Sequence, residues 1–187
     1  MSDEASFTDI IRRARDGDAR ALQAMFERTY DELRRMAHRR LRQGARDALL
    51  DTTALVHECF VKFSNAEALN LSDRTHFFRY AGQAMRSVIV DFARVSLANR
   101  RGGGAAHLPL STTIGDSAVA GEAELLRVHE ALDELARYDP RLVQVVEMRY
   151  FAGMTEAEIA EALGLTDRTI RRDWEKARLL LAQALAP

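Results

Sequence analysis

The stretch TEAEIAEALGLTDRTIRRDWEKARLLLAQAL, residues 155–185, decides how this chain folds. Thr155 followed three residues later by Glu158 is a capping box, in which each side chain satisfies an orphan backbone N–H of the other residue. A short helix is predicted over 156–163. Gly164 breaks it, Leu165 follows as an apolar plug, and Thr166 caps a second, longer helix over 167–185. Ile159, Ala160, Leu163, Leu165, Ile170 and Trp174 fall where the two helices must pack. The pattern is that of a helix-turn-helix. Its second helix carries Arg168, Thr169, Arg171, Arg172 and Lys176 in its first turns, where such helices meet base edges and phosphates. The competing reading is a plain helical hairpin with solvated arginines.

Working outward, the rest of the chain is also helical, and the fold class is all-α. Ala, Leu, Arg and Glu dominate, and strand signals are almost absent. Helices are predicted over 7–15, 19–43, 52–66 and 74–98, with Gly44 ending the second. Further helices are predicted over 122–137 and 140–151. Between these groups RRGGGAAHLPLSTTIGDSAVAG, 100–121, holds five glycines and a proline with no helical period. It reads as a flexible linker, so the chain divides into domains at 1–99 and 122–187.

Net charge is −1, but charge is segregated. Arginines cluster at 34–46, at 94–101 and at 168–178, and an acidic stretch runs from Glu122 to Asp139. Such a pattern suits separate cationic and anionic partners, or simply solvated helix faces. The single Cys59 rules out an internal disulfide. The N-terminus is of mixed charge and lacks the shape of a signal peptide, and no apolar run spans a bilayer. No membrane association and a cytoplasmic location are expected. His57 and Cys59 lie about 200° apart around a helix, and the other histidines are scattered. No metal, no cofactor and no catalytic residue is therefore predicted.

Residues 136–182, with DPRLVQVVEMRYFAGMTEAEIAEALGLTDRTIRRDWEKARLLL at their centre, resemble region 4 of extracytoplasmic-function (ECF) sigma factors. Residues 20–100 resemble region 2: LVHECFVKF stands where the family has an LVQETFLRVW-type stretch, and VDFARVSLANRR where it has IDYLRRRRR. The TTALVHE string and the Asp173-Trp174 pair resemble one subgroup, linked to Ser/Thr kinases. The resemblance implies a factor that joins core RNA polymerase and directs it to promoter DNA. Region 4 would hold the −35 element through Arg168, Thr169, Arg171, Arg172 and Lys176. Asp173 departs from the basic residue common there and is expected to pair with an arginine or accept from cytosine. Region 2 would take the −10 element through Asn65, Asn70, Ser72 and Arg74, in the loop 64–76, and through Arg79 and Arg86 on the next helix. An anti-sigma factor is a further implied partner. A helix-turn-helix regulator that is not a sigma factor is the main alternative, and a helical adaptor for other proteins is another.

The implied polymerase contact is the start of the third helix: Asp51, Thr52, Thr53, Leu55, Val56 and Glu58. The family commonly has several acidic residues here, and this chain keeps only Asp51 and Glu58 nearby. A phosphate on Thr52 or Thr53 would add about −1.5 to −2 charge at pH 7. Activation by a Ser/Thr kinase is one expectation. The other is that a threonine is only the helix N-cap. The sequence does not choose between the two threonines.

Overall fold

A computed structural model describes residues 2–43, 51–66, 71–101 and 112–186. Eight α-helices follow in order: α1 (Ser2–Arg15), α2 (Ala19–Gln43), α3 (Thr52–Ser64), α4 (Arg74–Arg101), α5 (Thr112–Tyr138), α6 (Pro140–Val146), α7 (Glu156–Leu163) and α8 (Asp167–Leu185). A π-helical turn, Glu147–Phe151, follows α6 directly. No strand occurs among the described residues, so the fold is all-α as expected.

Local chemistry sets the helix ends. Gly17 takes a positive φ of 92°, and Asp18 then accepts from the N–H groups of Arg20 and Ala21, starting α2. Gly164 sits at φ 62°, ψ 36°, the left-handed conformation that glycine adopts without steric cost. The first four helices enclose one core. Phe7, Phe26, Phe63 and Phe77 are buried there, with ring centroids 4.9–6.3 Å apart and mostly edge-to-face. In the C-terminal half, Leu132, Leu142, Val146 and Ala177 join α5, α6 and α8. Ile159, Ala160 and Ile170 join α7 to α8, and Trp174 packs against both clusters.

The stretch expected as a linker is corrected in part. Its backbone is helical from Thr112, and α5 runs unbroken to Tyr138 despite Gly115 and Gly121. Each interior glycine costs a helix about 1 kcal/mol, which the rest of a 27-residue helix outweighs. Residues 102–111 of that stretch, Gly44 and Asn70 lie outside the described residues.

The two halves are in contact. Ala152, just past the π turn, is buried in the core of the first four helices. It lies so near Gly82 of α4 that a Cβ there would come within 3.0 Å of the Ala152 Cβ. The π turn closes with Ala152 N–H donating to Glu147 O at 3.0 Å, and it turns Glu147 and Met148 inward. Glu147 thereby reaches α4.

Candidate nucleic-acid interface

The α7–α8 hairpin is built from its caps inward. Thr155 Oγ1 accepts from Glu158 N–H at 3.3 Å, and Glu158 accepts from Thr155 N–H at 2.7 Å, completing the capping box. Thr166 caps α8 by accepting from Thr169 N–H at 3.3 Å. Ile159 and Ile170 are fully buried between the helices. Glu156 accepts from Arg149 at 2.8 Å and from Arg171 at 2.9 Å. The Arg149 hydrogen bond first, then that of Arg171, holds the Glu156 carboxyl below its ordinary value. Arg149 also lies over the Trp174 ring, 4.9 Å from its centroid.

The face expected to meet DNA is open. Arg168, Arg171, Arg172 and Lys176 are exposed, and Thr169 is half-buried beside the cap. Two of these cations are engaged from the rim: Arg171 with Glu156, and Lys176 with Asp139 at 3.1 Å. Asp173 points the other way. It is buried and accepts from Arg141 Nε at 2.8 Å, so in this structure it pairs with an arginine and presents nothing to a base.

At the mouth of α3 the cap is Asp51, which accepts from Ala54 N–H at 2.8 Å. Neither threonine is the N-cap, so that expectation is corrected. Thr53 is exposed, as is Glu58. Thr52 is half-buried and lines an opening of about 490 Å³ with Asp31, Arg34, Arg35, His38 and Arg39 of α2. Leu55 and Val56 require a second correction. Both are buried in the core, because the apolar stripe of α3 must face α2 and α4. They fix the helix in place and leave the outer face to Thr53, His57 and Glu58.

The loop residues separate into roles. Asn65 is exposed and closes α3. Ser72 is exposed but tied to the start of α4: it hydrogen-bonds Asp73 at 2.8 Å, and Asp73 accepts from His76 N–H at 2.8 Å. Burial raises the Asp73 carboxyl, but the hydrogen bonds from His76 and Ser72 outweigh it and hold the group below its usual range. Arg74 donates to Glu32 at 2.6 Å and lies over the Phe7 and Phe78 rings, which braces α1, α2 and α4. Arg79 is half-buried.

Arg86 is placed differently from the expectation that it tracks a strand. It is only 8% exposed, because the C-terminal half covers it. It donates to Glu147 at 2.8 Å, to Asp133 at 2.7 Å, and to the His129 ring and carbonyl at 2.6 and 3.2 Å. Gln83 donates to the second Glu147 oxygen at 2.8 Å. The signal that sequence reasoning passed over was Gly82, an isolated glycine within a helical pattern, which usually marks close packing.

Among the described residues no three His, Cys, Asp or Glu side chains gather as a metal site, and no helix is long and apolar enough to cross a membrane. Fold and site together define a small all-α protein that presents arginine-bearing helix faces from two packed halves. The chain belongs to the ECF sigma factor family, whose family description matches residues 4–186. Members of that family are DNA-binding regulators that join core RNA polymerase and promoter DNA in transcription initiation, often under the control of anti-sigma factors. Comparison with curated proteins gives no significant match.

Proposed function

We propose that this chain is an alternative sigma factor with the division of labour its two halves suggest. The C-terminal half holds the −35 element through α8, and the N-terminal half takes the −10 element and docks on core polymerase. The observation that carries this reading is the family match across both halves, joined to an open cationic start of α8. Arg168, Arg171 and Arg172 contact bases or phosphates, with Thr169 and Lys176 beside them. Asn65, Asn70, Ser72, Arg74 and Arg79 serve the melted strand. The test is run-off transcription with core polymerase on promoters selected from a random library. Specific initiation that needs this chain supports the reading. Binding to duplex DNA without any effect on polymerase favours an ordinary regulator.

A second element concerns control, by an anti-sigma factor or by a kinase. A kinase is favoured by the mouth of α3. Asp51 is occupied with capping, and the adjoining opening carries three arginines against one aspartate. A partner surface that expects negative charge meets little of it here. A phosphate of about −1.5 to −2 charge at this helix start would cancel most of that local positive charge. Thr53 is the better placed to present that charge, being exposed, whereas a phosphate on Thr52 would be neutralised by Arg34, Arg35 and Arg39. Core-polymerase affinity should rise on kinase treatment, and Thr53→Ala should abolish the rise more fully than Thr52→Ala. Tight binding by the unmodified protein, unchanged on treatment, sinks the switch.

A further inference from the structure

The outer face of α2 carries charge that the fold leaves unanswered. Leu33, Met36 and Ala37 are buried in the core and fix the rotation of the helix. Asp31, Arg34, Arg35, His38 and Arg39 therefore share the opposite face at helical spacing. They line the opening of about 490 Å³ beside Thr52, at the start of α3. Among the described residues, Arg34, Arg35, His38 and Arg39 enter no side-chain hydrogen bond or ion pair, and Asp31 is the one acid in the lining. Arg12, Arg13, Arg15, Arg74, Arg86 and Arg141, by contrast, each meet a carboxylate. Arg39 is nevertheless held in place: its guanidinium lies against Gly153, where an added Cβ would come within 2.9 Å of it.

We infer that this opening is a binding site for a small oligophosphate anion, a chain of two or three linked phosphates either free or as the tail of a nucleotide. Like charges a turn apart on one helix repel, and that repulsion becomes attraction once an anion sits among them. Each guanidinium offers a fork of N–H donors that matches paired phosphate oxygens. From Arg34 to Arg39 the cations cover about 7.5 Å of helix axis at about 1.5 Å per residue, so one short polyanion reaches several of them at once. The volume falls in the range of about 300–1,000 Å³ usual for small-ligand sites. The cations ring a hollow between two helices, which favours a compact anion over the extended backbone of a nucleic acid. The half-buried Thr52 and the positive end of α3 add to the site at its rim.

A bound anion also puts negative charge beside the mouth of α3. Any gain in polymerase docking from that charge rests on the sigma-factor reading above, whereas binding does not.

The test is calorimetric titration of the full chain with inorganic triphosphate, with adenosine triphosphate and with inorganic phosphate, without added metal and at about 0.15 M salt, where the screening length is about 8 Å. One triphosphate should bind per chain, more tightly than inorganic phosphate by about tenfold or more, or about 1.4 kcal/mol. Equal affinity for the two triphosphates assigns the site to the phosphate chain alone, and tighter binding of adenosine triphosphate assigns it to a nucleotide. Arg34→Ala with Arg35→Ala should weaken binding by about tenfold or more while circular dichroism stays unchanged, since both side chains are exposed. Arg20→Ala removes an exposed charge elsewhere on α2 and should change little. No saturable binding of either triphosphate overturns the site. A loss in Arg20→Ala as large as that in the paired variant overturns it too, because diffuse charge then explains the affinity. A chain that takes a fluorescent single-stranded oligonucleotide through Arg34 and Arg35 but ignores triphosphate also overturns it, and marks a nucleic-acid face instead. No readout involves polymerase, so the sigma-factor reading stands or falls separately on run-off transcription.

Discussion

The cations of α8 and the cation of α4 are held in opposite ways. Arg171 and Lys176 pair with carboxylates at the rim of the hairpin, and their side chains remain 64% and 57% exposed. Such pairs are worth about 0–1 kcal/mol and exchange readily for a phosphate. Arg86 pairs across two halves of the molecule at 9% side-chain exposure, with Glu147 at 8%. Separating a buried pair by removing one partner costs about 3–5 kcal/mol, because the other charge is stranded. The first surface is open as it stands, whereas the second is covered where the two halves pack. One chain thus carries cations on an open face and a cation in a covered contact.

Substitutions should separate the two surfaces. The largest effect is expected from Ile170→Ala, which empties the core between α7 and α8. It should cost about 2–5 kcal/mol in urea unfolding of the C-terminal half and abolish the ordered start of α8. Asp173→Ala comes next, at about 1–3 kcal/mol, since it removes a buried acceptor while Arg141 can still reach water. Thr155→Ala should cost about 1 kcal/mol through loss of the capping box, read by the same unfolding experiment. Arg168→Ala should leave stability unchanged, Arg172→Ala should cost at most about 1 kcal/mol through its 3.7 Å pair with Asp173, and each should lower the log–log salt slope of duplex binding by about 0.9 if it touches phosphate.

The smallest effect concerns pH and belongs to the closed interface. Arg86 donates to His129 Nδ1, which requires a neutral ring with its proton on Nε2, facing Asp133 at 3.4 Å. Burial first, and the Arg86 charge second, push His129 below its ordinary value of 6.5, against the opposing pull of Asp133. Arg94 lowers it further and Glu130 raises it. Because the folded-state value is depressed, the unfolded or opened chain binds more protons below 6.5. The contribution is complete above 6.5 and is lost as pH falls from there through the lowered folded-state value. Scattering should show slight expansion on acidification, and His129→Gln should remove that response.

Much of this was legible in the sequence, and the division follows locality. Thr155, Glu158, Gly164 and Thr166 act on neighbours within four residues, so the hairpin's caps and turn could be read directly. The apolar stripes of α2, α3 and α4 likewise fixed which faces are buried. The contact between the halves left one mark in the sequence, Gly82, which signals a close approach without naming its partner. Arg86 and Glu147 are 61 residues apart, and neither carries a local mark of pairing. The π turn was read as plain helix over 140–151, because one widened turn leaves the apolar period almost intact. Asp51 and the two threonines all suit an N-cap by type, and only backbone geometry shows that Asp51 takes it.

The most direct test of the two packed halves is the distance between them, free and on polymerase. Fluorophores on Gln23→Cys in α2 and Gln183→Cys in α8 would report it. The native Cys59 is buried with its thiol pushed up to about 12, so it should escape labelling. The free protein should give one short distance, within a body about 40 Å across. Adding core polymerase and promoter DNA should replace it with a longer one if the two halves hold the −35 and −10 elements as proposed. An unchanged short distance in a complex that initiates transcription would contradict the account.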